Sequence, residues 1–157
     1  MVDRREQILA RLMVIFPTVP DVTLAGRNRE DVTGKARPAV IMHDAAESSA
    51  DIANRPPGAN RPPGANGRAL SKDLMVLSPQ IIILLGDRAE IVGTRVSAMR
   101  SNLVKLIWTD QTLKDICGVY GDIRYTGCGL DTQTGETREA RLLVNFEFTY
   151  MLDCAEL

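Results

Sequence analysis

Apolar positions recur at helical spacing near the start of the chain, at no fixed spacing through its middle, and at strict alternation near its end. Ile8, Leu9, Leu12, Ile15 and Phe16 share one helical face until Pro17 stops the pattern, which predicts an amphipathic helix over about 4–15. Asp3 and Glu6 stand at capping-box spacing at its start. Val19-Pro20-Asp21 begins a short extended stretch through Leu24, and the polar run from Gly26 to Lys35 reads as a loop. Pro38 to His43 reads as a strand, followed by a small, polar segment from Asp44 to Asp51 with room for one turn of helix. From Asp73 to Leu85 the chain is apolar enough for a long strand. Its run Ile81 to Leu85 is hydrophobic on both faces and predicts a central place in the sheet, while Pro79 predicts a bulge or an edge position midway.

Gly86-Asp87 opens a second helix, again with capping-box spacing (Asp87, Glu90). Val92, Val96, Met99, Leu103 and Leu106 form its apolar stripe, with Arg88, Arg95, Arg100 and Lys105 left in water. Thr109 or Asp110 caps a shorter helix that carries Leu113 and Ile116 and ends at Gly118; Trp108 and Tyr120 flank it and read as core or hinge packing. The remainder reads as a β-hairpin, with Ile123 to Gly129 as one arm, Asp131 to Thr137 as the turn and Arg138 to Cys154 as the other arm. Every even position from Leu142 to Leu152 is apolar, so one face is buried and the other wet. Such a strand spans about 40 Å at roughly 3.3 Å per residue, long enough for its end to project beyond its own sheet towards a neighbour.

These elements predict an α/β (α+β) fold in two layers: a mixed, mostly antiparallel sheet packed against a long helix, an N-terminal helix and a short helix. A length of 157 residues with 45% hydrophobic residues supports one domain, 1–157. Within it, 48–71 is expected to protrude as a loop. Arg-Pro-Pro-Gly-Ala-Asn is written there twice, at 55–60 and 61–66, and two Pro-Pro-Gly units in tandem suit neither a helix nor a sheet ladder. If the strand at 38–43 pairs antiparallel with the one that follows the loop, the repeat sits at the tip of their connection.

With 19 basic and 20 acidic residues the chain lacks the excess charge of a typical nucleic-acid binder. The charge is uneven, however. Ala53 to Lys72 holds Arg55, Arg61, Arg68 and Lys72 and no acid, whereas Asp110 to Leu157 holds nine acids against four bases. The loop cations are therefore candidate contacts to a partner or to a channel, and Glu136, Arg138, Glu139, Glu147 and Asp153 are candidate contacts between subunits. Cys117, Cys128 and Cys154 have no Cys-x-x-Cys spacing and only His43 to assist them, which points to reduced thiols in a cytoplasmic protein rather than to a zinc site. No apolar run reaches membrane-spanning length.

Candidate chemistry is sparse. The Leu85-Gly86-Asp87 junction has the form of a phosphate-binding strand-to-helix turn, yet neither Gly-x-Gly-x-x-Gly nor the P-loop lysine is present, and Asp87 would repel an anion. His43 beside Asp44 could serve as an oriented base or as a strand-end histidine with a structural hydrogen bond. Glu30-Asp31 and Glu136 with Glu139 read as solvated turn acids, with a divalent ion between subunits as the alternative. No catalytic residue, cofactor or metal ligand is assigned.

The C-terminal half, in Val92-Gly-Thr-Arg-Val, Asn102-Leu-Val-Lys-Leu-Ile, Leu113-Lys-Asp-Ile, Gly121-Asp-Ile-Arg-Tyr-Thr-Gly and Leu143-Val-Asn-Phe-Glu-Phe-Thr-Tyr, resembles the small tail terminator proteins of long-tailed bacteriophages and related tailed particles. The resemblance implies a non-enzymatic virion protein, assembled in the host cytoplasm, that closes into a hexameric ring on the tail. Its implied partners are the tail tube protein, whose polymerisation it stops, and the head-tail connector or stopper protein that docks on it, with DNA passing through the channel unbound. Another neck protein is the alternative within this class. A small nucleotide-binding domain or enzyme is the alternative from another.

Overall fold

The computed structural model describes residues 3–30, 32–50, 72–87, 89–133 and 138–153. These form three α-helices, α1 (Arg4–Ile15), α2 (Ala89–Thr109) and α3 (Gln111–Cys117). Seven strands accompany them, β1 (Leu24–Arg27), β2 (Ala39–His43), β3 (Glu47–Ser49), β4 (Lys72–Leu77), β5 (Gln80–Asp87), β6 (Asp122–Gln133) and β7 (Arg138–Asp153). All seven strands belong to one mixed sheet, and the helices pack on one face of it, giving the expected two layers.

β7 is the centre of that sheet. One of its edges pairs with β6 from Asp122↔Thr149 to Gln133↔Glu139. The other pairs with β5, from Asp87↔Arg138 to Gln80↔Asn145, and then with β4, from Leu77↔Phe148 to Lys72↔Asp153. No residue is gained or lost between these two ladders, so β4 and β5 are one long strand interrupted at Ser78-Pro79. Proline has no N–H to give a ladder, which explains the gap. The bulge expected at Pro79 lies instead on the partner strand. β2 pairs with β5 as far as His43↔Gln80, β3 resumes on β4 at Glu47↔Leu77, and Asp44 to Ala46 set three residues opposite two. β7 does not project from its sheet, because β4 accompanies it to Asp153.

Alternation along β7 fills the core: Leu142, Val144, Phe146, Phe148 and Tyr150 are buried against the helices. Phe146 stacks on Phe148 with centroids 6.0 Å apart and meets Tyr125 at 5.3 Å. Each buried aromatic contributes about 1.5–3 kcal/mol. From β5 come Ile81, Ile83 and Leu85, and from α1 Ile8, Leu9, Leu12 and Ile15, as the helical spacing predicts. α2 buries Val92, Val96, Met99, Leu103 and Ile107; Leu106 is only half-buried.

Asp3 accepts from the Arg5 amide at 3.0 Å and caps α1, but Glu6 does not complete the box. Its carboxylate meets Arg27 of β1 at 2.5 and 2.9 Å, and Arg27 also holds Asp44 at 2.7 Å through both Nε and Nη2. One guanidinium thus ties α1, β1 and the bulge after β2. That pairing accounts for β1, where a polar loop was expected: Gly26 and Arg27 continue the strand parallel to β2. β3 likewise replaces the irregular segment after Asp44, and Ser48 and Ser49, assigned to the loop, pair with Val76 and Met75. The strand at 39–43 does pair antiparallel with β5, and the connection between β3 and β4 contains the duplicated hexapeptide, which lies outside the described residues.

Two further boundaries differ from expectation. α2 begins at Ala89, while Asp87 ends β5 opposite Arg138 and its carboxylate accepts from Arg95, two turns into the helix. β6 runs on through Asp131, Thr132 and Gln133, which read as turn, and carries a register shift between Tyr125 and Gly127, where Gly127 has φ 132°.

Among the described glycines, Gly121 is the most closely surrounded. A Cβ there would stand 2.3 Å from the Cys117 carbonyl oxygen and 2.4 Å from that of Thr149, so the α3-to-β6 turn has room for hydrogen only. Gly121→Ala is expected to lower unfolding free energy by about 1–3 kcal/mol, measured by urea denaturation. An unchanged midpoint would contradict this packing.

Candidate functional site

α2, α3 and the edge strand β6 together present a partly apolar surface. Leu103 and Ile107 turn the buried stripe of α2 inward, which leaves Arg100, Val104 and Trp108, spaced by four, on its flank. Arg100 donates to the Tyr125 hydroxyl of β6 at 3.3 Å; desolvation, then a hydrogen bond with Cys128, pushes that hydroxyl above its ordinary pKa against the opposing effect of Arg100. Asp110 then caps α3 by accepting from the Leu113 amide at 2.8 Å, while the Arg11 fork holds the same carboxylate at 3.1 and 2.8 Å. Arg11 keeps the Asp110 carboxyl below its usual range. Gly118, at φ 80°, stops α3, and the Gly121 amide bonds back to its carbonyl at 3.0 Å. The tight turn lifts Val119 and Tyr120 off the body.

The outcome is a group of large side chains in water at the start of β6: Val119 is 95% exposed, and Trp108 and Tyr120 51% each, while Leu130, towards the far end of β6, is 55% exposed. Trp108 is shared by two adjoining hollows. One, of about 380 Å³, is completed by Val104 and Lys105, and the other, of about 320 Å³, by Cys117, Gly118 and Ile123. Trp108 and Tyr120 were expected in the core or a hinge. The spacing does hold the signal that corrects this for Trp108, since the stripe through Leu103 next reaches Leu106 and Ile107 and leaves Trp108 beside it. Beyond this cluster, β6 pairs only with β7 among the described residues, so its outer row of amide and carbonyl groups has no strand partner there.

Titratable groups elsewhere serve the fold. Arg27 holds the Glu6 and Asp44 carboxyls below their ordinary values. Burial pushes the Cys117 thiol up to about 12, the behaviour of an inert core thiol, whereas Cys128 is exposed. Burial, then a hydrogen bond to Glu47, raises the Tyr150 hydroxyl. No group of three or more His, Cys, Asp or Glu among the described residues could hold a metal.

Of the residues singled out from the sequence, Arg55, Arg61, Arg68 and Glu136 lie outside the described residues. Lys72 begins β4 opposite Asp153 at the end of β7, and Arg138 begins β7 opposite Asp87; the side chains of Lys72, Arg138 and Asp153 are outside the described set. Glu147 stands opposite Arg124 on the face away from the helices. Glu139 is half-exposed and bonds Arg37 of its own chain at 2.8 Å. Neither Glu139 nor Glu147 lines the hollows beside Trp108. His43 and Asp44 do not form a dyad, because Asp44 is taken by Arg27.

The chain matches no protein-family model and no curated protein. What the surface can do follows from its geometry: an open strand edge accepts a further strand, and half-exposed aromatics beside it supply the apolar area that such pairing needs.

Trp108 is the only tryptophan, so it reports on this surface directly. In dilute solution its fluorescence is expected to be strongly quenched by acrylamide. Resistance to quenching at all concentrations would show that the indole is packed within the subunit.

Proposed function

We propose that this protein is a structural assembly subunit that associates with copies of itself through the β6 edge and the exposed Trp108, Val119 and Tyr120 at its start, and that it acts as the ring closing a phage-type tail tube. The exposed cluster beside an open strand edge carries the association part, because large apolar side chains concentrated at an unpaired edge are a liability unless another chain covers them. The tail part is supported by the motifs that resemble tail terminators, which fall on α2, α3, β6 and β7 and so include that edge. A head-to-tail contact between unlike surfaces closes into a ring when its rotation closes. The tail tube and the head-side connector or stopper would then meet the two rims of the ring, and no catalytic step is assigned to it.

Native mass spectrometry with and without tail tube tests this. The expected species is a closed, hexameric ring, and Tyr120→Lys combined with Val119→Asp should shift it to folded monomer. Those two side chains face water in the single subunit, so the substitutions should leave stability within about 0.5 kcal/mol. A monomer at every concentration, with or without tube, would refute the proposal. Association that ignores both substitutions would place the contact elsewhere on the subunit.

A further inference from the structure

On the sheet face opposite the helices, the β1-to-β2 connection lies over β2, β5 and β7 and leaves a cleft of about 390 Å³. Its floor is apolar: Ile41 and Ile82 are 1% and 3% exposed, with Leu84 beside them. Its walls are charged, with Arg29, Arg37 and Arg141 against Glu30 and Glu139 among the described residues. The arginines are held in place. A Cβ on Gly26 would stand 2.6 Å from the Arg29 Cδ, so that stem packs where glycine leaves space, and Arg37 passes over Gly86, itself without a side chain, to reach Glu139 on β7.

Arg37 carries one unmet bond. Its Nη1 forms an ion pair with Glu139 at 2.8 Å, yet its Nε is buried and lacks any hydrogen-bond partner, the one side-chain nitrogen or oxygen of this kind among the described residues. A buried guanidinium donor is ordinarily satisfied, because leaving it unpaired loses its hydration with nothing in return. Nε with Nη2 is also the edge of the guanidinium that grips a carboxylate through two parallel bonds.

We infer that this cleft is a binding site for a carboxylate borne on an apolar stem, with Arg37 gripping the carboxylate and Ile41, Ile82 and Leu84 receiving the stem. On this inference the Arg37 side chain shifts on binding so that its Nε edge meets the carboxylate. The apolar floor selects against inorganic phosphate, which has no stem to bury. The carboxylate comes either from a free molecule or from an acidic side chain of a second copy. The site stands apart from the Trp108 surface, so a chain that never assembles can still bind.

Titration of the full chain with isovalerate, followed by two-dimensional NMR of the amides of Ile41, Ile82 and Leu84, tests the inference, with isovaleramide and inorganic phosphate as controls. Isovalerate should give saturable shifts at concentrations on the order of 10 mM or below, and neither control should do so. Arg37→Lys retains the charge but lacks Nε and the fork, and should weaken binding about tenfold or more; Arg124→Gln, outside the cleft, should leave it unchanged. Sedimentation with isovalerate separates the sources: a self-associated particle that dissociates indicates a side chain of a second copy, and one that does not indicates a free carboxylate. Linear, unsaturable shifts, equal binding of isovaleramide, or full affinity in Arg37→Lys would overturn the inference. The wild-type titration decides it alone should the variants fail to fold.

Discussion

The fold depends on one constraint, the register of β7 between its neighbours. Its even positions from Leu142 to Tyr150 are buried beneath the helices, while the odd positions opposite include Glu139, Arg141, Asn145 and Glu147. A slip of one residue would exchange these sets and place charge in the core. β5 and β4 hold that register as one interrupted strand, and β6 holds it from the other side. Because the Pro79 gap leaves the ladder numbering unchanged, the interruption weakens the pairing locally without moving a side chain to the wrong face. The extra residue needed nearby falls at Asp44 to Ala46, and Asp44 there completes the Arg27 cluster with Glu6. Sheet register and helix docking are thus joined through a single guanidinium.

Much of this could be read from the residues alone, where burial makes a strong pattern. The stripes of α1 and α2, the alternation of β7 and the double-sided run from Ile81 to Leu85 each reflect a face that must be dry. What escaped reading was held by pairing rather than by burial. β1 and β3 are four and three residues long, too short for a period, and their polar residues are matched across space: Arg27 to Glu6 and Asp44, Ser49 to Asp73. Asp87 has the spacing of a helix cap, and its carboxylate also reaches Arg95 two turns further on, a contact that local spacing does not reveal. The residues of β6 that resembled a turn are extended because β7 offers them a ladder.

The candidate surface was legible only in part. The expectation that β7 would project to meet a neighbour is replaced by an edge one strand further out, since β6 is the strand whose far side lacks a partner among the described residues. The charged residues proposed for contacts came from uneven composition, a property with no geometry, and Glu139 proves to be engaged by Arg37 within the subunit. The same ion pair draws attention to the opposite sheet face, where Gly26 makes space for the Arg29 stem. No periodicity marks that cleft, because it is assembled from four separate parts of the chain.

Hydrogen exchange resolved along the chain, in dilute and in concentrated solution, tests the central claim that a fixed spine at β7 carries an open edge at β6. Amides from Leu142 to Phe148 are expected to exchange only through global unfolding at either concentration, and those of β6 to gain protection as the protein is concentrated. Exchange of the β7 amides as fast as those of β1, or β6 protection that is already complete in dilute monomer, would contradict it.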